Sequence, residues 1–117
     1  MAVLLLVRHG HSTANAEGVL AGWTPDVQLT DTGREQAAGV AGQLAGVPVH
    51  GLYSSPVLRA RQTAEIISQA GDLTVIQDEG LGECRYGAWT GRSLADLRSD
   101  PLWRLVQDEP ERVEFPP

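Results

Sequence analysis

Ala2-Val-Leu-Leu-Leu-Val7 runs straight into Arg8-His9-Gly10. A strand with one wet face alternates apolar and polar residues. This run does not, so it reads as a strand covered on both sides, the kind found in parallel sheets flanked by helices. The polar triplet behind it would then lie beyond the strand's carboxyl end, where open α/β sheets gather ligands.

The remaining chain extends that pattern. His9 to Leu29 is polar and rich in Gly, Ser, Thr and Asn, a loop with one short turn. Thr30 or Asp31 suits a helix cap, and Ala37, Val40, Ala41 and Leu44 behind it repeat at helical spacing and form one buried face. Gly46 and Pro48 stop that helix. Val49 to Ser54 reads as a second strand. Pro56 falls where a first helical turn tolerates proline, and Val57, Ala60, Ala64 and Ile67 supply the next apolar stripe up to Gly71. Leu73 to Ile76 is a third strand. Residues 80 to 91 are irregular, and residues 93 to 107 carry one or two short helices. The order strand, loop, helix, strand, helix, strand indicates a layered α/β domain.

Composition narrows the function. The 117 residues, 42% hydrophobic and 21% charged, suit one folded domain. No apolar run approaches the roughly 20 residues of a membrane span. The strand that follows Met1 leaves no room for a leader. One cysteine, Cys84, excludes an internal disulfide and a thiolate metal cluster, so a cytoplasmic setting is expected. Nine basic residues, all arginine, stand against fifteen acidic ones for a net charge of −6. That balance argues against a nucleic-acid surface, which needs a basic stripe.

Three stretches can carry chemistry. In Arg8-His9-Gly10, the arginine would bind an anion and disfavour protonation of the imidazole. A neutral imidazole is a nucleophile for phosphorus, and Gly10 would let a ligand approach the backbone. In Ser54-Ser-Pro-Val-Leu-Arg-Ala-Arg-Gln-Thr63, Arg59 and Arg61 stand near a helix start that also favours anions. Two residues apart, they cannot share one face, and spacing does not say which points inward. Glu83, set among aromatics and glycines, could serve as a general acid. His9 and His11 form an H-x-H pair, but a metal needs a further ligand and neither Cys84 nor His50 supplies an obvious one. No metal is therefore expected.

Taken together, several motifs resemble the histidine phosphatase superfamily, in its phosphoglycerate-mutase-like branch. They are Arg8-His9-Gly10-His11-Ser12-Thr13-Ala14-Asn15, Leu29-Thr30-Asp31-Thr32-Gly33-Arg34-Glu35-Gln36-Ala37, Ser54-Ser55-Pro56, Arg59-Ala60-Arg61-Gln62-Thr63-Ala64 and Glu83. The resemblance implies a three-layer α/β/α sandwich around a mostly parallel sheet. It implies that His9 takes the phosphoryl group while Arg8 and Arg59 grip its oxygens. Asn15 would add a hydrogen bond, Gly22 and Trp23 would line the pocket, and Tyr86 would contact substrate. Glu83 would protonate the leaving alcohol and then deprotonate water. No cofactor is implied, and the partner is a small phosphorylated metabolite.

The sequence departs from that family in three places. His11 replaces the usual Glu or Gln. The family's second catalytic histidine, on a later strand, has no counterpart, and His50 does not match it. The later strands are absent too, so residues 1–117 read as the N-terminal part of a single domain whose sheet is incomplete. Such an open sheet edge favours self-association, a homodimer in the simplest case. Mutases of the family carry Glu-Arg-His-Tyr and a following Lys, whereas this chain has Glu83-Cys84-Arg85-Tyr86 and Leu94. With two cations gone from the substrate end, phosphomonoester hydrolysis is expected rather than phosphoglycerate mutase-type transfer. A phosphate-binding module without turnover and a metal hydrolase built on His9 and His11 are the remaining alternatives.

Overall fold

The computed structural model describes all 117 residues. Its elements in chain order are α1 (Thr13–Glu17), α2 (Asp31–Leu44), β1 (Leu52–Ser54), α3 (Leu58–Gly71), β2 (Val75–Gln77), α4 (Leu94–Leu97) and α5 (Pro101–Asp108). Single 3-10 turns lie at Glu79–Leu81, Gly87–Trp89 and Pro110–Arg112. No helix is long and apolar enough to cross a membrane.

β1 and β2 pair in parallel, Leu52 opposite Val75 and Ser54 opposite Gln77, with α3 as the crossover. The unit is thus a βαβ, and α2 packs alongside α3. Ala37 and Ala41 of α2 face Ala64 and Ile67 of α3 as buried residues. Small side chains on α2 allow a close approach. Leu29 and Ala14 close the end of this seam. Only 16 of the 117 residues are buried, so the interior is two thin seams rather than one thick core. The second seam holds Trp89 and Leu97, at 1% and 0% exposure.

The anticipated first strand does not form. Ala2–Val7 makes no ladder, and Val3, Leu4 and Leu6 are exposed. Apolar composition creates a demand for burial, but a strand exists only through a partner's hydrogen bonds. The sheet contains β1 and β2 alone, and Ala2–Val7 pairs with neither. The sheet is accordingly two-stranded. Pro56 also falls outside its anticipated helix. Val57 is the extended N-cap residue, and α3 starts at Leu58.

Two backbone seams fix the loops that matter. Ser12 bridges Leu29, and Thr30 N–H donates to the His11 carbonyl at 3.0 Å, which clamps the segment after His9 to the start of α2. Gly91 N–H donates to Leu20 O at 2.7 Å and Leu94 N–H to Gly18 O at 2.8 Å, which ties the loop before Trp23 to the stretch before α4.

Candidate functional site

His9 is half-buried, and its Nδ1 lies 2.6 Å from the Gly10 carbonyl oxygen. A carbonyl only accepts, so Nδ1 carries the proton, and in the neutral ring the lone pair lies on Nε2. Arg8 and His9 line a cavity of about 210 Å³ together with Gly10, Gln36, Ala37, Val40 and Thr63. Arg8 itself is exposed.

Glycine at position 10 also serves packing, while it lines the cavity beside His9. A Cβ there would collide with the Gly33 backbone, and a Cβ at Gly33 would collide with the His11 carbonyl. Two glycines therefore let the loop after His9 lie directly on the first turn of α2. His11 is consumed by the same joint. Its N–H donates to Gln36 Oε1 at 2.8 Å, and its Nδ1 lies 2.9 Å from Thr30 Oγ1. That hydroxyl also donates to His11 O and accepts from Gly33 N–H as the α2 cap. The cap fell on Thr30, one of the two residues anticipated. His9 and His11 do not converge with any Cys, Asp or Glu in a metal-binding arrangement.

A second cluster forms around Arg59. It faces inward at 3% exposure, whereas Arg61 turns back so that Nε donates to the Pro56 carbonyl at 2.9 Å. Arg59 Nη2 donates to Gly22 O at 3.1 Å and to Glu83 Oε2 at 3.2 Å, while Nη1 is buried without a partner. Glu83 Oε1 accepts from Cys84 N–H at 2.8 Å and from the Tyr86 hydroxyl at 3.3 Å. Trp23 Nε1–H donates to the Glu83 carbonyl at 2.5 Å, and the Arg85 guanidinium sits 4.6 Å from the Trp23 ring centre. Gly22, Trp23, Arg59, Glu83 and Tyr86 thus form one connected group. The Tyr86 phenol is pushed up from 10.0 to about 12, first by burial and then by the nearby Glu83 charge.

Thr63 joins the two clusters. Its hydroxyl accepts from Gly10 N–H at 3.2 Å and donates to the Arg59 carbonyl at 2.9 Å. The sequence reading gave Thr63 no role, although its signal was present. It stands four residues after Arg59, so both fall on one face of α3, and both are buried there.

Asn15 is engaged locally. Its Oδ1 accepts from Ser12 N–H at 3.0 Å and Ser12 Oγ at 2.9 Å, completing a capping box on α1. Only its amide Nδ2 remains for a ligand.

The two clusters hold an imidazole, the Arg8 guanidinium, a buried Arg59 guanidinium with one unpartnered nitrogen, and the Glu83 carboxylate. A family model described as the histidine phosphatase superfamily (branch 1) matches residues 4–117. A 2,3-bisphosphoglycerate-dependent phosphoglycerate mutase of Thermoplasma acidophilum is 37% identical over 97 residues, covering 83% of this chain and 48% of that protein. A phosphoserine phosphatase 1 of Hydrogenobacter thermophilus is 33% identical over 117 residues, covering 98% and 55% respectively. The crystal structure of an Entamoeba histolytica phosphoserine phosphatase in complex with 3-phosphoglyceric acid aligns with a TM-score of 0.72 at 37% identity. That alignment covers 83% of this chain and 47% of the other. The chain spans about half the length of the curated relatives it matches.

Proposed function

The chain belongs to the histidine phosphatase superfamily and shares the phosphoglycerate mutase-like α/β fold over the part it covers, and we propose that it serves phosphomonoester hydrolysis through His9. The observation that carries this reading is the Nδ1–H bond to the Gly10 carbonyl, which makes Nε2 the nucleophilic nitrogen of the neutral ring. The half-length match supports residues 1–117 as one part of a single catalytic domain.

In the first step, His9 Nε2 bonds to phosphorus as the ester P–O bond breaks, and Glu83 gives its proton to the departing alkoxide. In the second, Glu83 takes a proton from water as the water oxygen attacks phosphorus and the P–N bond breaks. Phosphate and neutral imidazole result. The phosphoryl group carries its charge on oxygens, so positioning and cation donors supply most of the catalysis. Arg8 and the partnerless Nη1 of Arg59 are those donors, with Asn15 Nδ2 as a neutral one. The Arg59–Glu83 ion pair gives the proton cycle a switch. A phosphate dianion draws on the Arg59 guanidinium and repels the Glu83 carboxylate, which favours the protonated acid the first step needs.

The leaving group is the alcohol of a small phosphorylated metabolite. The relatives named as phosphoglycerate mutases favour a second reading, transfer between phosphoglycerates, but Cys84 and Leu94 offer no cation to a substrate carboxylate. The purified protein should release phosphate from phosphomonoesters and acquire an acid-labile phosphate on His9, both lost in His9→Ala and neither altered by a chelator. Interconversion of phosphoglycerates without phosphate release would overturn the hydrolase reading.

A further inference from the structure

We propose that Phe115 is a positioning residue, holding the Tyr86 ring and through it the Glu83 carboxylate in the geometry that proton exchange requires. The proposal rests on the reading of Glu83 as the acid and base.

Val113–Pro117 belongs to no regular element, yet it is firmly seated. Ala88 N–H donates to the Pro116 carbonyl at 2.8 Å. Gly87 has φ of +57°, and a Cβ there would collide with that same carbonyl. The turn therefore needs glycine for two reasons, its backbone conformation and the closeness of this segment. The contact places Phe115 between two rings. It meets Tyr86 edge-on, with centres 5.1 Å apart at 85°, and meets Trp89 at 5.4 Å and 64°. Trp89 is an immobile backing, 1% exposed and stacked at 6.2 Å on Trp103 of α5.

The Tyr86 ring also abuts the Gly22 backbone, where a Cβ would come within 3.0 Å of it. Phe115 and Gly22 thus both contact the phenol ring, and its hydroxyl reaches Glu83 Oε1 at 3.3 Å. That bond is long, so a small rotation of the ring would break it. Glu83 would then keep only the Arg59 and Cys84 contacts, and its carboxylate could turn. The raised phenol, for which burial is the first cause, agrees with a ring covered by Phe115.

The test uses the 117-residue chain in a Tyr53→Phe background, so that Tyr86 is the only phenol, with Phe115→Ala and Phe115→Leu compared by titration and Phe115→Tyr by activity alone. Phenolate absorbance should show Tyr86 titrating near 12 with Phe115 in place, and falling toward 10.0 in Phe115→Ala. Phe115→Leu keeps most of the apolar bulk and guards against simple unfolding; it should give an intermediate value. Hydrolysis of an alkyl phosphate, whose leaving group needs a proton, should lose roughly ten- to a hundredfold in kcat in Phe115→Ala with little change in KM. An activated aryl phosphate should be nearly unaffected, and Phe115→Tyr should keep the wild-type rate on both substrates. An unmoved Tyr86 titration in both the Ala and Leu variants overturns the proposal, as does equal slowing of the two substrates. Should Glu83→Gln itself slow the two substrates equally, the assignment of Glu83 fails, while the Tyr86 titration still decides whether Phe115 fixes the phenol.

Discussion

Arg59→Met separates what Arg59 does for the fold from what it does for a ligand. In the native chain, Nη2 makes both contacts, to Gly22 O and to Glu83 Oε2, and Nη1 has none. Hydrogen bonds involving a charged group contribute about 1.5–3 kcal/mol each, so the pair brings roughly 3–6 kcal/mol. Those figures are net of exchange with water, and the stranded Nη1 donor, about 1–3 kcal/mol, offsets part of them. About 2–3 kcal/mol remains. Methionine is unbranched and apolar, and it can fill most of the space. Glu83 is left with a side chain 33% exposed, so water takes over part of its solvation. The expected loss of stability is about 2–3 kcal/mol, with the unpaired Gly22 carbonyl as its main source. The ligand effect is different. Inorganic phosphate at a hundred times its dissociation constant should stabilise the wild type by about 2.7 kcal/mol, and Arg59→Met should show almost none of it. Urea unfolding, followed by far-UV circular dichroism, measures both quantities in one series. Loss of more than about 4 kcal/mol with the phosphate increment intact would make Arg59 a structural cation and refute this reasoning.

Asn15→Asp keeps the acceptor that Ser12 uses, so stability should change by less than about 1 kcal/mol, whereas phosphate affinity by calorimetry should fall roughly tenfold or more through charge repulsion and loss of the Nδ2 donor. Gly33→Ala should destabilise by about 1–3 kcal/mol despite alanine's better helix propensity, because its Cβ meets the His11 carbonyl; a variant more stable than the parent would contradict the close approach. The Tyr86 phenol is raised in the folded state, so the folded chain prefers it neutral. Its contribution to stability is complete below the ordinary value of 10.0 and disappears as pH climbs through about 12. Denaturation across that window should steepen in the wild type relative to Tyr86→Phe.

The helices were legible because one face of each carries their packing. Ala37 and Ala41 in α2, and Ala64 and Ile67 in α3, lie where their spacing put them, and β1 and β2 fall within the anticipated second and third strands to within a residue or two. Ala2–Val7 was not legible, because hydrophobicity specifies a need for cover but not the neighbour that provides it. The choice between Arg59 and Arg61 lay beyond spacing for a related reason. At about 100° per residue they stand on nearly opposite sides of α3, and only the seating of α3 on α2 and the strands decides which side is interior. His11 and Asn15 look like ligands in a motif, yet each also answers a local backbone demand, at the α2 cap and the α1 cap. Phe115 was invisible for the opposite reason. Its partners lie about thirty residues away, and no periodicity links them.

The unpaired first run changes what aims His9, the proposed nucleophile. A histidine at the end of a paired strand would inherit its direction from the ladder before it. Here the chain before His9 is unpaired and exposed, and every anchor lies after it. Gly10 N–H is held by Thr63, the His11 backbone by Gln36 and Thr30, and Ser12 by Leu29. The direction of His9 therefore depends on the joint between its loop, α2 and α3. Thr63 couples that joint to the arginine, since one hydroxyl spans the Gly10 amide and the Arg59 carbonyl. Any movement of α3 along its axis would carry Arg59 and the His9 loop together. That shared displacement preserves the relation between nucleophile and cation even while Ala2–Val7 lacks a partner, which is the condition a site assembled from two separate stretches of chain must meet.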